Sequence, residues 1–116
     1  MHYDPSAALA RIDKDKGLLT LLITVFIKEC PKYTAKLQAA CDNQDLHALG
    51  DAAHNVKGAS ASIGLDAASS LAEELEVACR QSGVKSIASF EQSTARLVDV
   101  LNQCPEILND WIKQNP

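Results

Sequence analysis

From Leu18 to Cys41 the apolar residues Leu18, Leu22, Val25, Phe26, Tyr33, Leu37 and Cys41 mostly recur at steps of three and four. That is the repeat of one face of an α-helix, and no other feature restricts the chain as much. Two details pull the other way. The unbroken run Leu18 to Ile27 would, by itself, suit a buried strand, and Pro31 would bend or break a helix at that point. The three- and four-step pattern nevertheless continues on both sides of Pro31, and no other segment offers a strand partner. The stretch is therefore predicted to be one long helix from about Asp15 to Cys41.

The remainder divides into helical segments with recognisable ends. An opener runs from about Pro5 to Ile12, with Asp4 as cap and Pro5 suited to the first helical position. Asn43-Gln44-Asp45 supplies a turn and cap for a third helix, Asp45 to Ser62, whose inward stripe is Leu46, Leu49, Ala53, Val56, Ser60 and Ile63. Gly64 ends it, where the chain must turn left-handed. Asp66 is expected to cap a fourth segment to about Gln81, with the stripe Ala68, Leu71, Leu75 and Ala78, stopped by Ser82-Gly83. A last segment starts near Lys85 and carries Ile87, Phe90, Thr94, Leu97, Val98 and Leu101. Cys104-Pro105 interrupts it, and Pro105 either kinks the helix or opens a short terminal one bearing Leu108, Trp111 and Ile112. Short connections between long helices favour antiparallel neighbours. The predicted fold is all-α: an up-and-down four-helix bundle with a short N-terminal flanking helix, forming one domain over residues 1–116.

Composition narrows the class of function. The formal charge is −4 and no basic run appears, whereas nucleic acid needs a concentrated basic face. Cys30, Cys41, Cys79 and Cys104 lie far apart with no CxxC pair, so neither a metal site nor a disulfide framework is expected. The first residues lack the charged and apolar regions of a signal peptide. The greasiest segment, Leu18 to Ile27, is shorter than the about 20 residues that span a bilayer. The expectation is a soluble, cytoplasmic domain, or the soluble piece of something longer.

Chemistry concentrates on the third helix, in Ala53-His54-Asn55-Val56-Lys57-Gly58-Ala59-Ser60-Ala61-Ser62-Ile63-Gly64-Leu65. His54, Lys57 and Gly58 share one face, and Ala61 extends it. A neutral imidazole is a good nucleophile near pH 7, and a lysine one turn away can offset an incoming negative group. Glycine inside a helix costs about 0.5–1 kcal/mol relative to alanine, which makes sense where another protein must approach. His2 and His47 read as ordinary surface or satisfied histidines.

His54-x-x-Lys57-Gly58, five residues, then Gly64 and the apolar Leu65, with small residues between, resembles the signature of histidine-containing phosphotransfer (HPt) domains. Leu75-Glu76 in the next helix, the long second helix and the Asp-containing turn before the third extend the resemblance over most of the chain. It implies an antiparallel helical bundle in which His54 is the phosphoacceptor, Lys57 offsets phosphoryl charge, Gly58 gives steric access and Gly64 permits the turn. Glu76 matches a position that orients the imidazole, although an ordinary solvated carboxylate is the equal alternative. Receiver domains are the implied partners, passing a phosphoryl group from aspartate to His54 and on to another aspartate. Mg²⁺ would sit on the receiver, and this domain would hold no metal or cofactor and have no ATP-dependent kinase activity of its own. A monomer is expected, since the active face must stay open, either free-standing or, as the slightly better fit, as the carboxyl-terminal module of a hybrid sensor histidine kinase tethered at the inner membrane.

Leu19, Ile23 and Ile27 cannot all share the face of Leu18, Leu22, Val25 and Phe26. Part of that second stripe, with Leu9 or Ile12, is expected either to meet the receiver or to pack as core against the first helix. Two rival readings remain: a non-catalytic adaptor bundle, and the phosphoacceptor helices of a histidine kinase. The second usually has an acidic residue directly after its histidine, where Asn55 stands here.

Overall fold

The computed structural model describes residues 1–81, 83 and 86–116. Among these there are five α-helices and no strand: α1 Ser6–Arg11, α2 Lys16–Asp42, α3 Leu46–Ser62, α4 Asp66–Cys79 and α5 Glu91–Gln114, with a 3₁₀ turn at Ile87–Phe90 leading into α5. The four long helices pack in a ring, α2 on α3, α3 on α4, α4 on α5 and α5 back on α2. The resulting body measures 47 × 22 × 19 Å. The sequence-predicted stop at Ser82 and start near Lys85 lie outside the described residues.

Local chemistry explains the boundaries. Asp15 and Asp45 each accept a backbone N–H with the side chain, from Leu18 and Ala48, capping α2 and α3. At the end of α3, Gly64 adopts φ +73°. Its N–H reaches Ala61 O at 3.1 Å and the Leu65 N–H reaches Ser60 O at 2.9 Å. This paired 5→2 and 6→1 closure satisfies two terminal carbonyls and needs a left-handed residue at that position. Buried Leu65 then packs into the core. Asp66 does not cap α4: Leu65 holds the cap position without a side-chain bond, and Asp66 lies inside the first turn, where its charge suits the positive end of the helix dipole. Pro5 likewise precedes α1 as its cap residue, while the Asp4 carboxylate accepts the Ser6 N–H at 3.0 Å.

Neither internal proline ends its helix. Pro31 lies exposed within α2, which runs on through it to Asp42. Pro105 sits within α5, which continues to Gln114 rather than being interrupted. The carbonyl Pro105 leaves without an N–H partner is that of Leu101, and the Cys104 thiol donates to it at 3.3 Å.

The stripes expected on α3 and in the last segment are in the core: Leu49, Ala53, Val56, Ser60 and Ile63, and Ile87, Phe90, Thr94, Leu97, Val98 and Leu101, are all buried. Leu46 is only partly so. On α2 the expected inward face holds for Phe26 and Leu37 but not for Leu18 and Val25, and Leu19 and Ile23 take the core role that was one of the two expected of them. Leu19, Ile23, Phe26, Cys30, Leu37 and Ala40 are buried, whereas Leu18 and Val25 are exposed and Leu21 is 59% exposed. The physical reason is that Leu18 to Ile27 is apolar nearly all round, so its own periodicity does not choose a phase. Leu37 and Ala40 choose it: counting back from them in alternating steps of three and four passes Cys30, Phe26, Ile23 and Leu19.

Candidate functional site

The inner face of α3 is consumed by Leu49, Ala53, Val56 and Ser60, which turns His54, Lys57, Gly58 and Ala61 outward. The short α3–α4 connection lays α4 alongside, and this brings Glu76 opposite His54 and Lys57. One Glu76 carboxylate oxygen lies 2.9 Å from His54 Nδ1 and the other 2.9 Å from Lys57 Nζ. The Glu76 side chain is only 12% exposed, while the His54 ring is 61% exposed. Glu76 is thus in direct contact with both side chains rather than free in solvent.

This geometry has electronic consequences. A carboxylate beside Nδ1 accepts its proton in a hydrogen bond, so the neutral ring carries N–H at Nδ1 and its lone pair at Nε2. With Nδ1 engaged, Nε2 is the nitrogen left for a visitor. The hydrogen bond from Lys57 holds the Glu76 carboxyl below its ordinary value of 4.5 against the opposing effect of burial, with Arg80, His54 and the Lys57 charge adding to it. Glu76 is accordingly ionised at neutral pH.

Gly58 has open space beyond it: a Cβ built there would meet no heavy atom within 4 Å. Gly64 is the opposite case, where a Cβ would stand 3.2 Å from Ala8 Cβ and 3.3 Å from Pro5 Cα. The N-terminal segment is clamped onto this end of α3, with Tyr3 Oη donating to Ile63 O at 2.6 Å and Arg11 to Ala61 O at 2.8 Å. A cleft of about 370 Å³ beside the site is lined by Asp4, Arg11, Gly58, Ala61, Gly64 and Asp66 among others. A wider cleft of about 790 Å³ between α2 and α5 holds none of the site residues.

Sequence reasoning missed the second half of the charge network. Arg80, which caps the C-terminal end of α4, places Nε 3.3 Å from Glu76 and a terminal nitrogen 2.8 Å from Asp51. His47 Nε2 lies 3.2 Å from the other Asp51 oxygen. The available signal was the i, i+4 spacing of Glu76 and Arg80; the link to Asp51 has none in the sequence. Among the described residues, no group of three or more His, Cys, Asp or Glu side chains is gathered as a metal ion would require, and no helix is long and apolar enough to cross a membrane.

Comparison with known proteins agrees with these features. A family model described as the Hpt domain matches residues 21–110. The crystal structure of the HPT domain from an Hpt sensor hybrid histidine kinase from Shewanella superposes with a TM-score of 0.84. The two share 19% sequence identity, and the alignment covers 97% of this chain and 94% of that one, a likeness of fold. No curated protein matches the chain.

Proposed function

This chain belongs to the Hpt domain family, and from that membership we propose that it is a phosphorelay intermediate whose acceptor is His54. Membership itself supports a phosphotransfer role in two-component signalling with receiver domains as partners. The observation that carries the finer reading is the Glu76 contact to Nδ1 on a ring that is otherwise open to solvent.

A receiver domain bearing an acyl phosphate on aspartate docks over the outer face of α3. Nε2 of His54 attacks phosphorus in line, the N–P bond forms, and the acyl P–O bond breaks with its electron pair staying on the aspartate oxygen. Positive charge develops on the imidazole as it does so, and the Glu76 carboxylate at Nδ1 offsets it without moving. The Lys57 ammonium, tethered 2.9 Å from Glu76, lies one turn from His54 and supplies the opposite charge for the phosphoryl oxygens. Return to a second receiver reverses the steps. Since loose phosphoryl-transfer transition states respond mainly to positioning and charge, these groups suffice on the Hpt side, with no cofactor held by this chain and no ATP chemistry of its own.

The chain acts in this reading as a cytoplasmic monomer, with α2 to α5 running up and down through their short connections. Leu18, Leu21 and Val25, exposed on α2, replace Leu19 and Ile23 as the apolar residues offered to the receiver. The test is transfer from a phosphorylated receiver domain, comparing wild type with His54→Gln by intact mass and acid lability. One acid-labile phosphate on wild type alone supports His54 as the acceptor. A phosphate that persists in His54→Gln refutes it.

A further inference from the structure

The Glu76 carboxylate serves two clients, and its own placement needs an explanation. Lys57 binds one of its oxygens, but His54 Nδ1 and Arg80 Nε share the other, at 2.9 and 3.3 Å. Arg80 does not hang loosely from the end of α4. Its outer nitrogen is tied to Asp51 on α3 at 2.8 Å, and Asp51 is itself held by His47 at 3.2 Å. The same guanidinium lies over Gly50, where a Cβ would stand 3.3 Å from both its central carbon and one terminal nitrogen. Gly50 is buried in the second turn of α3, so a residue that favours helix less than alanine leaves room for this side chain. Isolated surface ion pairs contribute little, but a planar fork joined to two carboxylates on two helices has a defined geometry.

We propose that Arg80 is a positioning residue: anchored on Asp51 and accommodated by Gly50, it holds the Glu76 carboxylate in the orientation that orders His54 and Lys57. The role rests on the phosphotransfer reading for its purpose, though not for its detection. Arg80 touches neither the imidazole nor the site of bond making. It acts by fixing the rotamer of the group that does.

The experiment uses the whole chain. Long-range ¹H–¹⁵N spectra of the histidine rings report which nitrogen of His54 carries the proton, and single-turnover transfer from a phosphorylated receiver reports rate and apparent affinity separately. Wild type shows the Nδ1–H form. In Arg80→Gln and in Asp51→Asn the His54 signals move toward a mixture of both tautomers, and the transfer rate falls about fivefold, the scale of one partly exposed ion pair. Apparent affinity for the receiver stays unchanged. Arg80→Lys does not restore the wild-type spectrum, because an ammonium cannot span both carboxylates. Gly50→Ala displaces the guanidinium and shifts the spectrum in the same direction while the melting temperature holds or rises. A wild-type tautomer in both Arg80→Gln and Asp51→Asn overturns the proposal, and so does a loss confined to receiver affinity. If the spectra change as described but wild type accepts no phosphate at His54, the phosphotransfer reading fails and the positioning role stands.

Discussion

Gly58→Ala separates what the fold needs from what the site needs. Gly58 lies inside α3, is exposed, and would carry a Cβ that meets nothing within 4 Å. Replacing it adds no clash and gains helix propensity, about 0.5–1 kcal/mol. In a domain of 116 residues this corresponds to a rise in melting temperature of roughly 2–5 °C. For transfer the sign is opposite. If a receiver's backbone packs against this position, the new methyl overfills a close contact, and overpacking costs about 1–3 kcal/mol. That is a loss of roughly 5- to 150-fold in the rate at limiting receiver. Thermal unfolding followed by circular dichroism measures the first quantity, and phosphate appearance on the chain measures the second. A variant that is more stable and transfers at the wild-type rate would falsify the view that this glycine exists for a partner. A variant that is less stable would show that the helix itself uses the missing side chain.

Three further outcomes follow from neighbouring observations. Gly64→Ala, forced into φ +73° with its methyl 3.2 Å from Ala8 Cβ, loses roughly 1–2 kcal/mol or more in urea unfolding; an unchanged midpoint would mean the turn can reshape. Leu19→Ala destabilises by about 2–5 kcal/mol, whereas Leu21→Ala changes stability by less than about 0.5 kcal/mol and weakens receiver binding in calorimetry. Equal effects of the two on stability would contradict the observed phase of α2. The folded-state pKa of Glu76 lies below 4.5, with Lys57 as the main cause, so its contribution to stability is present above that pH and is lost as pH falls through the depressed value. Glu76→Gln removes that component. Its stability declines less than wild type's on acidification below about 4.5, and parallel declines in the two proteins would show that the pairing adds nothing.

What the sequence disclosed and what it hid divide along a physical line. Periodicity reads the relation of a residue to its own helix, so Leu49, Ala53 and Val56 could be assigned inward on α3, and His54, Lys57 and Gly58 outward, before any packing was known. The left-handed turn at Gly64 was legible for the same reason: helix ends are local chemistry. On α2 the method loses its contrast, because Leu18 to Ile27 offers apolar residues on every side, and the phase set by Leu37 and Ala40 must be carried back through Cys30. Relations between helices are hidden altogether. Arg80 and Asp51 stand 29 residues apart, and they meet only because α3 and α4 pack in one register. The two glycines of α3 make the point sharply. Gly50 and Gly58 are two turns apart and indistinguishable by propensity, yet one is occupied by the Arg80 guanidinium and the other opens to solvent. Alanine at either position should favour the helix. The expected damage then differs in kind, reaching the imidazole through Glu76 from Gly50 and reaching the partner directly from Gly58. A tautomer change in Gly50→Ala but not in Gly58→Ala is therefore the result that this arrangement requires.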